Sequence, residues 1–316
     1  MNSLTQRDAF WKRVYELAKA DRRIVIVTED MGAPALDPFR TDLPAQFINV
    51  GIAEQNGLLV AGGLALEGKR PLVYAIAPFV TLRCLEQIRV TNSIMKIPLT
   101  LVGVGAGFGY DDSGPTHHLI EDIAVMRAFP NITIFSLSDS VMAAAIADLT
   151  CSDMPTTRYI RLDRQPMPNL YSPGADFHKG FSVLKEGQDG CLLATGIMTH
   201  TALTVAKRLA ARKKHYSVVD VYRLPTDEQA LMRYLKPYSR VITLEEHFLT
   251  GGFGSYILEM LNTHARLMPV QRIGLPMSKG YCYVYGGRQL IHRYYGITAD
   301  QVTTAILKPV STAGKA

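Results

Sequence analysis

The chain has 316 residues, 47% apolar and 20% charged. That is more than one hydrophobic core usually takes and too ordinary for a disordered or fibrous protein, so two globular domains are expected. The net charge of +6 comes from 34 basic and 28 acidic residues, and the basic ones are scattered. Their densest run, Arg208 with Arg212, Lys213 and Lys214, reads as the solvated face of a helix, which argues against nucleic-acid binding.

In the N-terminal stretch, Phe10, Val14, Leu17 and Ala18 recur at helical spacing. The stretch is amphipathic and of mixed charge, unlike a signal segment, and no apolar run in the chain is long enough to span a bilayer. Cys84, Cys151, Cys191 and Cys282 stand far apart without a CxxC pair. A zinc or redox motif is therefore not expected, and a cytoplasmic protein without membrane contact is.

"RIVIVTED" then reads as a buried strand ending in Glu29-Asp30. "VGIAEQNGLLVAGGLALEGKRP" follows as a helix, "PLVYAIAP" as a strand, and "LRCLEQIRVTNSIM" as a helix. Next come "PLTLVGVGAG" as strand and glycine-rich loop, "LIEDIAVMRAF" as helix and "NITIFSLS" as strand. "DSVMAAAIADLT" is a helix with Asp139 or Ser140 as N-cap, and "TTRYIRLD" closes the series. The alternation implies a parallel sheet covered on both faces.

"RQPMPNLYSPGADF" shifts composition towards Pro, Gly, Ser and Asn and reads as a linker. The pattern then restarts. "GCLLATG", "YSVVDVYRL" and "RVITLEEH" are strands. "HTALTVAKRLAARK", Glu228 to Leu235, "GGFGSYILEMLNTH" and "ITADQVTTAIL" are helices. The fold class is α/β, with two domains that are each a mostly parallel sheet flanked by helices: residues 1–165, a linker over 166–183, and 184–316.

Ligands of open parallel sheets sit outside the carboxyl ends of the strands. Attention therefore falls on Glu29-Asp30, Ala77-Pro78-Phe79, Gly103 to His118, and Leu162-Asp163-Arg164. In "GVGAGFGYDDSGPTHHLIED", Thr116 is expected to cap a helix beginning near His118, which sets His117 at a helix N-terminus whose dipole favours a neutral imidazole. The plainer alternative is a surface loop with incidental histidines. "GAGFG" lacks full dinucleotide-binding spacing and enters a polar loop. "TGGFGS" is either an anion site or a close helix–sheet turn. In "RLDRQP", Arg161 and Arg164 read either as a phosphate or carboxylate clamp or as an interdomain salt bridge. Glu54 stands alone before Gly57, Ala61, Gly62 and Gly63, a helix of poor propensity suited to close packing. By itself it reads as a solvated first-turn carboxylate.

Taken together, "INVGIAEQN", "AGGLALEGKRPLVYAIAPF", "GPTHHLIEDIAVMRAFPNI", "RLDRQPMP" and "VITLEEHFLTGGFGSYI" resemble the second half of transketolase. That half comprises the pyrimidine-binding and C-terminal domains of a thiamine-diphosphate enzyme. The early motifs are shared with deoxyxylulose-phosphate synthase and the β subunits of pyruvate-dehydrogenase-type E1 enzymes, whereas GPTH favours the transketolase and synthase branch. The resemblance implies that Glu54 hydrogen-bonds the cofactor's pyrimidine N1′ in an apolar, water-poor site. It implies that Phe79 stacks on that ring, that Asp30 and Ile76 lie at the cofactor, that His117 moves substrate protons, and that Arg164 clamps a sugar phosphate.

Nothing in the chain matches the family's GDG motif and downstream Asn, which hold Mg²⁺ and the diphosphate. "QDGC" around Gly190 lacks the first glycine. The resemblance therefore implies one subunit of a split enzyme, homodimerising within a heterotetramer, whose partner brings Mg²⁺ and the diphosphate site. No metal ligand is assigned to this chain. Two departures affect the substrate: Ser113 stands where transketolases carry Asp before GPTH, with Asp112 one residue earlier, and a phosphate-contacting histidine is replaced at or near Gly105. The expected reaction is two-carbon ketol transfer from a ketose or ketose phosphate to an aldehyde. The rivals are a 2-oxo-acid donor and a noncatalytic regulatory subunit.

Overall fold

The computed structural model describes residues 4–31, 33–152 and 155–308. The first half contributes the parallel strands β1 Ile24–Thr28, β2 Phe47–Asn49, β3 Arg70–Ile76, β4 Thr100–Val104, β5 Ile132–Ser136 and β6 Thr157–Leu162. The second half contributes β7 Phe181–Lys185, β8 Gly190–Ala194, β9 Tyr216–Val221, β10 Arg223–Leu224, β11 Val241–Phe248 and β12 Val270–Leu275.

The chain forms two α/β domains. One is built on a seven-stranded sheet in the order β10-β5-β6-β4-β3-β1-β2, the other on a five-stranded sheet in the order β12-β11-β8-β9-β7. The first sheet is parallel except for β10, which reaches over from the second half and pairs antiparallel with β5. In the second sheet only β7 is antiparallel. Strands β1, β4, β6 and β8 are buried along their whole length, as the interior of a sheet covered on both faces requires.

On one face of the first sheet the helix Gln6–Ala20 brings Trp11 edge to face against Phe39 and Tyr74, with Phe10 edge-on to Trp11. Asp139 caps the helix Ser140–Thr150 by accepting from the Met142 amide. Among the described residues no helix is long and apolar enough to cross a membrane.

Several elements have no counterpart in the sequence pattern, among them β2, the helix Asp37–Asp42, β7, β12 and the helix Arg288–Tyr295. In β7 only Phe181 is buried, so no apolar run announces it, and the second sheet begins inside the stretch that reads as linker. One expectation is overturned. No helix begins near His118, because Leu119 and Gly107 exchange backbone hydrogen bonds at 2.9 and 3.0 Å. This short bridge holds the chain extended, and the helix starts only at Asp122 (Asp122–Arg127). His117 therefore lies in a turn, its amide donating to the Gly114 carbonyl.

Candidate active site

Parallel strands deliver their carboxyl ends to one edge of the first sheet, and the candidate residues collect there. Glu54 is the first residue of the helix Glu54–Leu66, where the helix dipole favours a negative charge. It is 5% exposed, and its Oε1 forms an ion pair with Arg83 Nη1 at 2.7 Å. The same Arg83 guanidinium lies 4.1 Å from the centre of the Phe79 ring. Phe79, half-buried, belongs to the short helical turn Ala77–Val80 that follows β3. This turn packs so closely on β4 that a Cβ at Gly103 would stand 2.9 Å from that of Ala77.

From Phe79 the contacts continue across the glycine-rich loop. His117 meets Phe79 edge-on at 5.3 Å and Tyr110 at 5.9 Å. Arg164, just beyond β6, lies over Tyr110 at 4.6 Å and donates to Asp112 Oδ1 at 3.1 Å. Ser113 joins through its hydroxyl, which donates to the same Asp112 oxygen. Glu54, Phe79, His117, Asp112, Ser113 and Arg164 thus form one run of contacts.

Asp30 and Ile76 border that run at neighbouring strand ends. Asp30 is exposed, with φ +58°, a left-handed conformation that Asp tolerates better than most residues. Asn49 holds it by accepting from its amide and donating to its carboxylate, both at 3.1 Å. Ile76, half-buried, ends β3. Arg161 takes no part: it is buried, with Nε and Nη2 on Asp122 at 2.5 and 3.1 Å and Nη1 on Ser136 at 2.7 Å.

In the sequence Glu29 reads only as a strand end. In the fold it is 4% exposed, and neither carboxylate oxygen has a hydrogen-bond partner among the described residues. It fits because residue 57 is glycine: a Cβ there would stand 2.7 Å from Glu29 Oε1. Burial, reinforced by the charge of Glu54, pushes the Glu29 carboxyl up to about 9, so it is a neutral acid at physiological pH. Arg83 and Tyr110 likewise join the site only in the fold. The spacing of Arg83 four residues after Phe79 is the one sequence signal for the first.

The second domain supports the loop from behind. Arg288 is buried, donating to Asp163 at 2.6 Å and to Glu246 at 2.5 and 2.8 Å, while Glu246 accepts from the Phe108 amide at 2.9 Å. Burial alone would raise the Glu246 carboxyl, but Arg288 and His292 outweigh it and hold it well below the usual range. "TGGFGS" is a close helix–sheet turn: the Phe253 and Gly254 amides donate to the buried Glu245 carboxylate at 2.6 and 2.9 Å. A cavity of about 740 Å³ lies apart from the run, between the helices Gln6–Ala20 and Ser140–Thr150, and contains none of these residues. Among the described residues no three or more His, Cys, Asp or Glu gather as a metal site.

Residues 2–169 match the transketolase pyrimidine-binding domain, and residues 180–302 match the transketolase C-terminal domain. The chain is 32% identical to a subunit of the apulose-4-phosphate transketolase of Phocaeicola vulgatus, over 97% of this chain and 98% of that one. It is 32% identical to the 6-deoxy-6-sulfo-D-fructose transketolase subunit SqwH of a Clostridium species, over 95% and 92%. Among solved structures it resembles a split-gene transketolase described as an inactive β4 tetramer, with a TM-score of 0.84, 33% identity, and coverage of 96% and 97%.

Proposed function

The chain belongs to the transketolase family, and from that premise we propose that it is one half of a two-chain, thiamine-diphosphate-dependent transketolase. The observation that carries this reading is the unbroken run from Glu54 through Arg83, Phe79, His117 and Tyr110 to Arg164. It provides a buried carboxylate and an aromatic face at one end and a cationic clamp at the other. The carboxylate and the ring fit an aminopyrimidine. The partner chain would bring Mg²⁺ and the diphosphate site.

Thiamine diphosphate, when bound, supplies the nucleophilic carbon that takes up the two-carbon ketol unit. Glu54 would share a proton with a nitrogen of the pyrimidine ring, and Phe79 would cover one face of it. Arg83, which holds Glu54 in the chain alone, gives up that contact. Thr116 engages Nδ1 of His117 at 3.0 Å, which leaves Nε2 to take and return the substrate proton. Arg164 binds the far end of the donor. The relatives are named for a sugar phosphate and a sulfo-sugar, which supports a donor ending in a tetrahedral anion.

An apolar strip supports assembly with a partner. Leu59, Gly63 and Leu66 follow one face of the helix Glu54–Leu66. Both leucines are more than half exposed, Ile52 is 80% exposed, and a Cβ at Gly63 would meet nothing.

The test is reconstitution with a chain carrying the GDG-type diphosphate-binding domain, followed by a donor screen. Ketose phosphates should be turned over by the pair alone, and the isolated chain should bind thiamine diphosphate weakly. Glu54→Gln should lower turnover by about 10²-fold or more. Tight cofactor binding by the isolated chain, or full activity of Glu54→Ala in the pair, overturns the reading. Turnover of pyruvate in place of ketoses assigns the chain to the 2-oxo-acid branch.

A further inference from the structure

Tyr110 has no assigned role, yet the loop is shaped around its ring. Gly105 has φ +95°, in the left-handed region, and the Tyr110 ring occupies the place a Cβ at 105 would take. Gly109 turns the loop back on itself, since a Cβ there would lie 2.8 Å from the Gly105 Cα. The ring packs against the aromatic core beneath the first sheet and meets His117 at 5.9 Å. It carries the Arg164 guanidinium 4.6 Å from its centre. Burial raises the phenol's pKa, so the ring stays neutral at working pH.

Arg164 needs such a platform. Its one ionic partner among the described residues, Asp112, is 61% exposed, and the Arg164 side chain itself is 38% exposed. A pair so open to water does little to hold a long side chain in one orientation. A guanidinium lying over a fixed aromatic ring is held by the ring's charge distribution and loses less freedom when an anion arrives.

We propose that Tyr110 is a positioning residue for anion recognition: its ring, seated on Gly105, holds Arg164 ready for the phosphate- or sulfonate-type end of the donor. This rests on the reading of Arg164 as the anion clamp, and it accounts for a glycine at position 105 that no side chain could replace without moving the ring.

The experiment uses the reconstituted pair. It measures kcat and KM for a ketose phosphate and for the same ketose without phosphate, and the inhibition constant of inorganic phosphate. Tyr110→Phe keeps the ring and should keep the parent's preference for the ketose phosphate over the unphosphorylated ketose. Tyr110→Leu should raise KM for the ketose phosphate, and the inhibition constant of phosphate, by about five- to tenfold. The loss in kcat/KM should be at least fivefold larger for the ketose phosphate than for the unphosphorylated ketose. Tyr110→Met fills the same place with an apolar side chain that has no ring, so it should reproduce this pattern and carries the test should Tyr110→Leu fold poorly. Combined with Arg164→Ala, Tyr110→Leu should add nothing.

A loss equal for both donors, a change confined to kcat, or additivity with Arg164→Ala overturns the proposal. Arg164→Ala that separates the donors while Tyr110→Leu does not sinks this proposal alone. Arg164→Ala that treats the donors alike overturns the clamp itself and the platform with it.

Discussion

One side chain, Arg83, engages both groups offered to a pyrimidine ring: it forms an ion pair with Glu54 at 2.7 Å and lies over Phe79 at 4.1 Å. In the chain alone a planar cation thus satisfies the buried carboxylate. Removing it leaves Glu54 without its ionic partner, at a cost of about 1–2 kcal/mol, modest because Arg83 is partly exposed. Arg83→Ala should therefore melt earlier than the parent as an isolated chain. In the loaded pair, where a cofactor ring pairs with Glu54, the gap in melting temperature should narrow. A gap that stays constant on loading would count against Glu54 as the group that meets the ring.

Glu29 gives a pH signature. Its folded pKa of about 9 lies above the ordinary 4.5, so the native state binds more protons than the unfolded chain between those values. Stability from this group is fully present below about pH 4.5 and is lost as pH rises towards 9. Glu29→Gln removes that loss. Relative to the parent it should gain about 2 kcal/mol or more between pH 5 and pH 8, read by urea unfolding at both pH values. A pH-independent difference would show that Glu29 is not held neutral.

Arg288 joins the two domains through Asp163 and Glu246, both buried. Arg288→Ala takes the guanidinium from two buried carboxylates, leaving Glu246 with His292 and the Phe108 amide and Asp163 with the Gln165 amide, and should cost about 3 kcal/mol at neutral pH. The lowered carboxyl of Glu246 contributes stability above the ordinary carboxylate pKa and loses it as pH falls. The deficit measured by denaturant titration should therefore shrink towards pH 3.

The exposed strip of Ile52, Leu59 and Leu66 predicts an assembly defect without a folding defect. Leu59→Asp should leave the melting temperature of the isolated chain within a few degrees of the parent. It should weaken association, with the partner or with a second copy, by about tenfold or more, measured by sedimentation velocity. Unchanged association would remove this face from the interface.

Much was legible in the sequence because its causes are local or periodic. The alternating apolar segments specified two α/β domains, and the resemblance of the motifs to transketolase pointed to Glu54, Phe79, His117 and Arg164. Elements without a strong apolar run, such as β7, were invisible. The helix expected at His118 failed because a distant backbone partner, Gly107, outcompeted the local signal.

The partners of those residues are a different matter. Glu54 reads in sequence as a lone carboxylate, and only the fold brings Arg83 to it and sets Glu29 unpaired against Gly57. The loop glycines read as freedom, and only packing turns Gly105 into the seat of an aromatic ring. Residue type and period determine which segments are buried and which chemistries are on offer. Charge pairing, protonation and orientation depend on distances of a few ångströms between residues far apart in the chain, and the tertiary structure alone decided those.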